Sequence, residues 1–187
     1  MKLVLGSASP RRHEILSRIG YPFTTHVSYA DESVDAGLGL EGLSTYNARL
    51  KAEDVFASLG APADTVVIGS DTVVWLDGVA YGKPKDATQA RLFLTQLAGR
   101  THQVGTGVAL TSAAGTETFC EIADVTFQPM TEDDITAYLR DIPVMDKAGA
   151  YAIQGDGGRI ITQFTGEMES IMGLPYTRLA ERLRRLL

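Results

Sequence analysis

Asp71 interrupts the clearest strand signal in the chain, Val66-Val67-Ile68-Gly69-Ser70-Asp71-Thr72-Val73-Val74-Trp75-Leu76. Side chains alternate along a strand, so Asp71 shares a face with Val67, Val73 and Trp75. An ionised carboxylate is costly to bury without a partner. The partner is a metal, another cation such as a lysine, or, at a bulge made by Gly69, the main chain. Glu32 lies in an acidic loop with Asp31 and Asp35. It is either a second metal ligand or a solvated acid. Lys51 sits on a long helical stretch, where an exposed lysine is the default. Lys83 precedes Pro84, and proline restricts the backbone before it.

A second constellation is Ser7-Ala8-Ser9-Pro10-Arg11-Arg12. Ser9 suits a helix N-cap and Pro10 the first helical position. Arg11 and Arg12 then fall in the first turn, the wrong end for cations by the helix dipole. A strand-to-helix junction with free N–H groups, two hydroxyls and two guanidiniums suits an anion such as phosphate. Two solvated arginines behind an ordinary cap are the alternative.

Other chemistries find little support. No Gly-x-x-x-x-Gly-Lys-Ser/Thr string occurs, and Gly155-Asp156-Gly157-Gly158 lacks the dinucleotide spacing. His13, His26 and His102 have no metal spacing. Ser7 and Ser9 have no evident His–Asp partnership. Asp146-Lys147 adds one further acid–base pair.

These groups need elements to hold them. Leu3 to Gly6 reads as a buried strand, Pro10 to Ile19 as a helix stopped by Gly20, and Phe23 to Ser28 as a second strand. Leu43 to Leu59 is helical. The Asp71 strand runs from Val66 to Leu76, and Asp77-Gly78 makes a hairpin turn. Asp86 to Leu97 is helical. His102 to Leu110 and Thr118 to Phe127 form two strands around a turn at Ala114-Gly115. Thr131 opens a helix with Glu132, Asp133 and Asp134 in its first turn. Arg159 to Phe164 is a late strand, and Pro175 to Leu187 a last helix. Interleaved helices and strands with two hairpins predict an α/β fold with a mixed sheet, curved around a cleft. No linker divides residues 1–187, which read as one domain.

The 187 residues are 44% hydrophobic, enough for a sizeable core. A net charge of −6 disfavours non-specific nucleic-acid binding but leaves room for a small phosphorylated ligand. Cys120 is the one cysteine, so no internal disulfide forms and the reducing cytoplasm is the simplest compartment. The apolar run at the N-terminus is too short for a signal peptide, and no stretch approaches the length of a membrane span.

The chain resembles the Maf family. The resemblance runs in order through Ser7-Ala8-Ser9-Pro10-Arg11-Arg12, Asp31-Glu32, Ala48-Arg49-Leu50-Lys51-Ala52 and Gly69-Ser70-Asp71-Thr72-Val73-Val74. It continues through Gly82-Lys83-Pro84, Lys147-Ala148-Gly149-Ala150-Tyr151, Ile153-Gln154-Gly155 and Gly173-Leu174-Pro175. It implies a two-lobed α/β fold around a central cleft, similar to the inosine triphosphate pyrophosphatases. It also implies hydrolysis of a nucleoside triphosphate to the monophosphate and pyrophosphate, with Mg²⁺ or Mn²⁺, by a cytoplasmic homodimer. On this resemblance Asp71 and Glu32 hold the cation, and Asp71 also orients or deprotonates the attacking water. Lys51, Lys83, Arg11 and Ser7 position the triphosphate; Arg12, Thr72 and Gln154 shape the base pocket. One subgroup, acting on dTTP and UTP and on modified pyrimidine triphosphates, has arginine after the loop proline, threonine after the strand aspartate, and the late glutamine. This chain has Arg11, Thr72 and Gln154 there. A 7-methyl-GTP subgroup carries tryptophan, glutamine and glutamate instead. A second alternative is a nucleotide-binding regulator of septum formation with little turnover. Glu167 and Glu169 depart from the family pattern, and at a cleft rim they would alter its electrostatics.

Overall fold

The computed structural model describes residues 1–186; Leu187, expected at the end of the last helix, lies outside the described residues. In chain order the elements are β1 (Lys2–Leu5), α1 (Pro10–Ile19), β2 (Phe23–Thr25), α2 (Gly39–Ser58), β3 (Thr65–Leu76), β4 (Val79–Tyr81) and α3 (Ala87–Leu97). Then follow β5 (Thr101–Ser112), β6 (Gly115–Phe127), α4 (Glu132–Asp141), β7 (Ile161–Phe164), α5 (Met168–Met172) and α6 (Tyr176–Leu186). One seven-stranded sheet carries them in the order β2-β1-β3-β5-β6-β7, with β4 also paired to β3. β1 runs parallel to β2 and β3, and the remaining pairs are antiparallel. The expected mixed sheet is present, and it is open.

Local chemistry sets the ends. α1 starts at Pro10 and stops where Gly20 turns left-handed, φ 93°. Asp77 and Gly78 both take positive φ, 52° and 80°, and close the two-residue hairpin from β3 to β4. Thr131 caps α4 in a reciprocal capping box with Asp134. Burial of apolar side chains then separates the molecule into two lobes. Leu3, Leu5, Ile15, Leu16, Ile68, Leu174, Leu179 and Leu183 form the core between α1, α6 and the start of the sheet. Val74, Leu94, Leu97, Val104, Phe127, Ile135, Tyr138 and Tyr151 form the core under α3 and α4.

The site depends on how β3 is shared. β5 pairs with one edge of β3 from Val67 to Trp75. β1 pairs with the other edge as far as Ile68, and β4 takes that same edge up again at Val74. Residues 69–73 therefore have a strand on one side only. The sheet is split there, and the split lies between the two lobes.

Candidate active site

A cleft of about 730 Å³ opens at this split, with Asp71, Thr72 and Val73 in its wall. Asp71 is only 6% exposed. The β3–β5 register runs unbroken from Val67 to Trp75, so no bulge forms at Gly69. The Asp71 side chain is satisfied by other side chains, not by the main chain. Lys51 Nζ of α2 donates to Oδ1 at 2.7 Å, and Asn47 Nδ2 donates to Oδ2 at 3.1 Å.

α2 reaches Asp71 because glycines let it lie close to the sheet. A Cβ at Gly69 would stand 2.1 Å from the Ala48 carbonyl oxygen and 2.8 Å from the Ala52 nitrogen. A Cβ at Gly107 would stand 2.3 Å from the Ser44 carbonyl. With hydrogen at both positions, buried Ala48 and Ala52 rest on the strands. Asn47 and Lys51, four residues apart on one helical face, then flank the carboxylate.

The acidic loop closes the same site. Lys51 Nζ also pairs with Glu32 Oε1 at 2.7 Å, so one ammonium bridges both acids. Burial opposes the charge on Glu32. Lys51 outweighs it by charge and by hydrogen bond, aided by Lys83 and Arg12, and holds the carboxyl below its ordinary value. Asn47 grips the next residue of the loop, accepting from Ser33 N at 2.8 Å and donating to Ser33 O at 3.0 Å.

A second connected set lies beside the first. Ser7 Oγ accepts from Ser9 N and from Arg12 Nη1, while Ser9's own hydroxyl makes no cap bond. The expected Ser9 side-chain cap is absent. Arg12 Nε donates to the Gly173 carbonyl at 2.8 Å and Nη2 to Thr72 Oγ1 at 3.3 Å. Ser70 Oγ donates to the same carbonyl at 2.8 Å. These acceptors are all uncharged. Burial pushes the Arg12 guanidinium down from its ordinary value, and the charges of Asp71 and Glu32 act the other way. A desolvated guanidinium bonded to neutral oxygens offers its charge to an anion in the cleft.

Arg11 turns to the opposite lobe, pairing with Asp146 at 3.0 Å. Lys147 Nζ holds the other Asp146 oxygen at 2.6 Å. Desolvation works against the Asp146 charge, but bonds from Lys147 and Arg11 prevail and hold its carboxyl down at about 2. Lys83 and Gln154 are exposed side chains in the lining of the same cleft. Ser7, Arg11, Arg12, Glu32, Lys51, Asp71, Thr72, Lys83 and Gln154 thus all line one cleft. Asp71, Glu32 and Lys51 are in direct contact, as are Ser7, Arg12 and Thr72; Lys83 and Gln154 stand apart at the rim. Asn47 was missed. Its one sequence signal is its place four residues before Lys51. Glu167 and Glu169 are committed elsewhere: Glu167 accepts from Thr177 N at the start of α6, and Glu169 pairs with Arg18 at 2.9 Å. Neither lines the cleft.

Two hard oxygen donors meeting at one cation suit Mg²⁺ or Mn²⁺. Such ions are commonly held by one or two carboxylates, with substrate phosphate and water completing the shell. Among the described residues no group of three or more His, Cys, Asp or Glu offers an all-protein cage. Asp71 and Glu32 fit the first arrangement.

The fold and the cleft define an open-sheet α/β protein with a cleft between two lobes, whose arginines and lysines suit an anion. At the level of fold it is similar to the Staphylococcus aureus Ham1 protein, with a TM-score of 0.59, 15% identity and both chains fully covered. It is also similar to a nucleoside-triphosphatase (dITP/XTP pyrophosphatase) of Mycobacterium abscessus, with a TM-score of 0.50, 15% identity, and 100% and 98% of the two chains covered. The expected fold likeness is borne out.

The chain belongs to the Maf family: the sequence pattern of that family, described as Maf-like protein, matches residues 2–186. Curated relatives agree. A dTTP/UTP pyrophosphatase of Akkermansia muciniphila is 42% identical over 173 residues, covering 92% of this chain and 90% of that protein. A dTTP/UTP pyrophosphatase of Bacillus velezensis is 40% identical over 183 residues, covering 98% and 95%.

Proposed function

We propose that the chain hydrolyses nucleoside triphosphates, dTTP and UTP first among them, to the monophosphate and pyrophosphate. The observation that carries the reading is Asp71, a buried carboxylate at the free edge of β3, fixed by Lys51 and Asn47 and open to a cleft lined by Arg12 and Lys83. A carboxylate has about four lone-pair sites. With one bond on each oxygen, Asp71 keeps capacity to orient a water and accept its proton. Phosphoryl transfer is mostly positioning and charge stabilisation. Arg11, Arg12, Lys51, Lys83 and the Ser7 hydroxyl supply that charge along the triphosphate. A divalent cation on Asp71 and Glu32 would lower the pKa of a bound water and draw charge from the phosphate oxygens. Thr72 and Gln154 face the base. The Gln154 amide both donates and accepts, as the imide edge of thymine or uracil requires. A homodimer in the cytoplasm completes this reading. Among the described residues, no helix is long and apolar enough to cross a membrane.

A substrate panel tests it: dTTP, UTP, CTP, GTP, 7-methyl-GTP and ITP with Mg²⁺ or Mn²⁺, with both products identified. The expected result is pyrophosphate plus monophosphate, fastest from dTTP and UTP. Preference for a purine would keep the reaction and reject the roles of Thr72 and Gln154. Tight nucleotide binding without turnover would favour the regulator.

A further inference from the structure

We propose that Asn47 is a positioning residue that sets the two acids of the cleft at their working separation. The proposal rests on the reading of Asp71 and Glu32 as the acids of the reaction. Asn47 is 2% exposed, and a buried amide must be satisfied. Ordinary core asparagines are satisfied by whatever polar group lies nearest. Here every hydrogen-bond partner belongs to the site. One Nδ2 hydrogen goes to Asp71 Oδ2 and the other to the Ser33 carbonyl, while Oδ1 accepts from the Ser33 N–H.

The arrangement is a bracket with two arms. Each arm is a residue of α2 that touches both acids' supports. Lys51 binds the Asp71 carboxylate and the Glu32 carboxylate. Asn47 binds the other Asp71 oxygen and the main chain next to Glu32. With different donors on its two oxygens, the Asp71 carboxylate cannot rotate about its last bond without losing both. The two bonds to Ser33 hold the loop as a strand partner would. They fix Glu32 from a point that does not depend on the charge of Lys51. An amide does this without adding a second positive charge where an acid pair must receive a cation. Asp54 of α2 ties down the start of the loop, accepting from Ser28 Oγ and Tyr29 N, and Asn47 holds it further on at Ser33. Tyr29 and Val34 beside it are 88% and 86% exposed, so little apolar packing secures it.

The test uses the full chain with Asn47→Ala and Asn47→Asp, dTTP as substrate, and Glu32→Gln in a double-mutant cycle. Asn47→Asp keeps the shape and the acceptor but loses both donations. Both variants are expected to lose kcat on the order of 100-fold, as misplacement by about 1 Å does, with KM changed several-fold less. In the Glu32→Gln background the further loss from Asn47→Ala should be clearly smaller than in the wild type, because only the arm that holds Asp71 is left to lose. A readout free of turnover accompanies this: chymotrypsin should cut after Tyr29 faster in both variants, at unchanged circular dichroism. If Asn47→Ala does not fold, Ser33→Pro deletes the N–H that Asn47 accepts and should reproduce the proteolysis and the kcat loss. Wild-type kcat in a folded Asn47→Ala, recovery in Asn47→Asp, or a full independent loss on top of Glu32→Gln would overturn the proposal. A wild-type chain inactive on every nucleotide would instead sink the reaction assigned above. The clamp would then be judged by the cleavage rate alone, equal rates rejecting it.

Discussion

Two side chains that can carry charge are buried in the sheet, Asp71 at the split in β3 and His102 on β5, and they are treated in opposite ways. Asp71 is paired with a cation and an amide. His102 is 1% exposed, bonded through Nε2 to the Tyr151 hydroxyl and stacked edge-on against Phe127 and Tyr151, and its Nδ1 has no partner. Desolvation, with no charge nearby to offset it, holds His102 down to about 4 from 6.5. The sign of the consequence follows from proton counts. Below pH 6.5 the unfolded chain binds a proton at His102, and the folded chain binds none until about 4. Stability is therefore lost as pH falls through that window, by about 3 kcal/mol at about 1.4 kcal/mol per unit. Urea unfolding of wild type and His102→Phe from pH 7 to 4 should show the stability difference moving toward the variant by about that amount. Parallel curves would mean that His102 takes up its proton as readily in the fold as in the unfolded chain. Residue chemistry of this kind was only half legible in the sequence. The misplaced acid at Asp71 was visible because it broke an apolar strand. Asn47 broke no local rule, since its partners Ser33 and Asp71 are 14 and 24 positions away.

At the scale of elements, the contact between α2 and the sheet decides whether Asn47 and Lys51 arrive at Asp71 at all. Ala48 and Ala52 meet Gly69 with no room for a methyl group, because the nearest obstacle is helix backbone at 2.1 Å and not a movable side chain. Gly69→Ala is expected to lift α2 from β3, cost about 1–3 kcal/mol by overpacking, and lower kcat with it. Gly78 sits in open space at the hairpin tip, so Gly78→Ala strains a turn but should leave kcat alone. Equal kcat in the two variants would argue against α2 as the positioning element. Elements with local signals were readable to the residue: Pro10 and Gly20 bound α1, and Asp86 caps α3. Those set by partners were not. β2 ends at Thr25, not Ser28, because its neighbour β1 ends at Leu5. β7 begins at Ile161, not Arg159, because the Arg159 N–H turns to the Asp156 carbonyl and the Ile160 N–H to the Asp156 carboxylate, which keeps both in the turn before the strand. α2 starts at Gly39, not Leu43, since a 3-10 turn at Ala36–Leu38, capped by Asp35, feeds into it. The five-residue α5 gave no usable period, and its place is fixed by Gly173 and the Arg12 contact.

At the scale of the whole molecule, the two lobes meet across the cleft through Arg11 and Asp146. Asp146 is more than half exposed, so the pair adds little to stability. Its effect is on charge, for it occupies both Arg11 and Lys147 where a triphosphate would lie. Asp146→Ala should lower KM for dTTP by about fivefold or less, an effect on the order of 1 kcal/mol that added salt removes. A KM that rises would make Asp146 part of the binding surface, not a competitor for it. The mixed sheet was readable from the hairpins and the interleaved helices, and the two lobes only through the family resemblance. The split in the sheet was not, because it requires β1 and β4 to share one edge of β3. That split makes Asp71 the centre of the account, and its chemistry is measured most directly in Asp71→Asn. The change keeps the shape and removes the charge. Steady-state kinetics with dTTP and Mg²⁺ should give kcat lower by several powers of ten and KM within about tenfold, since a group acting in the transition state is lost from kcat. Wild-type kcat with KM alone raised would contradict the account and leave Asp71 a binding residue.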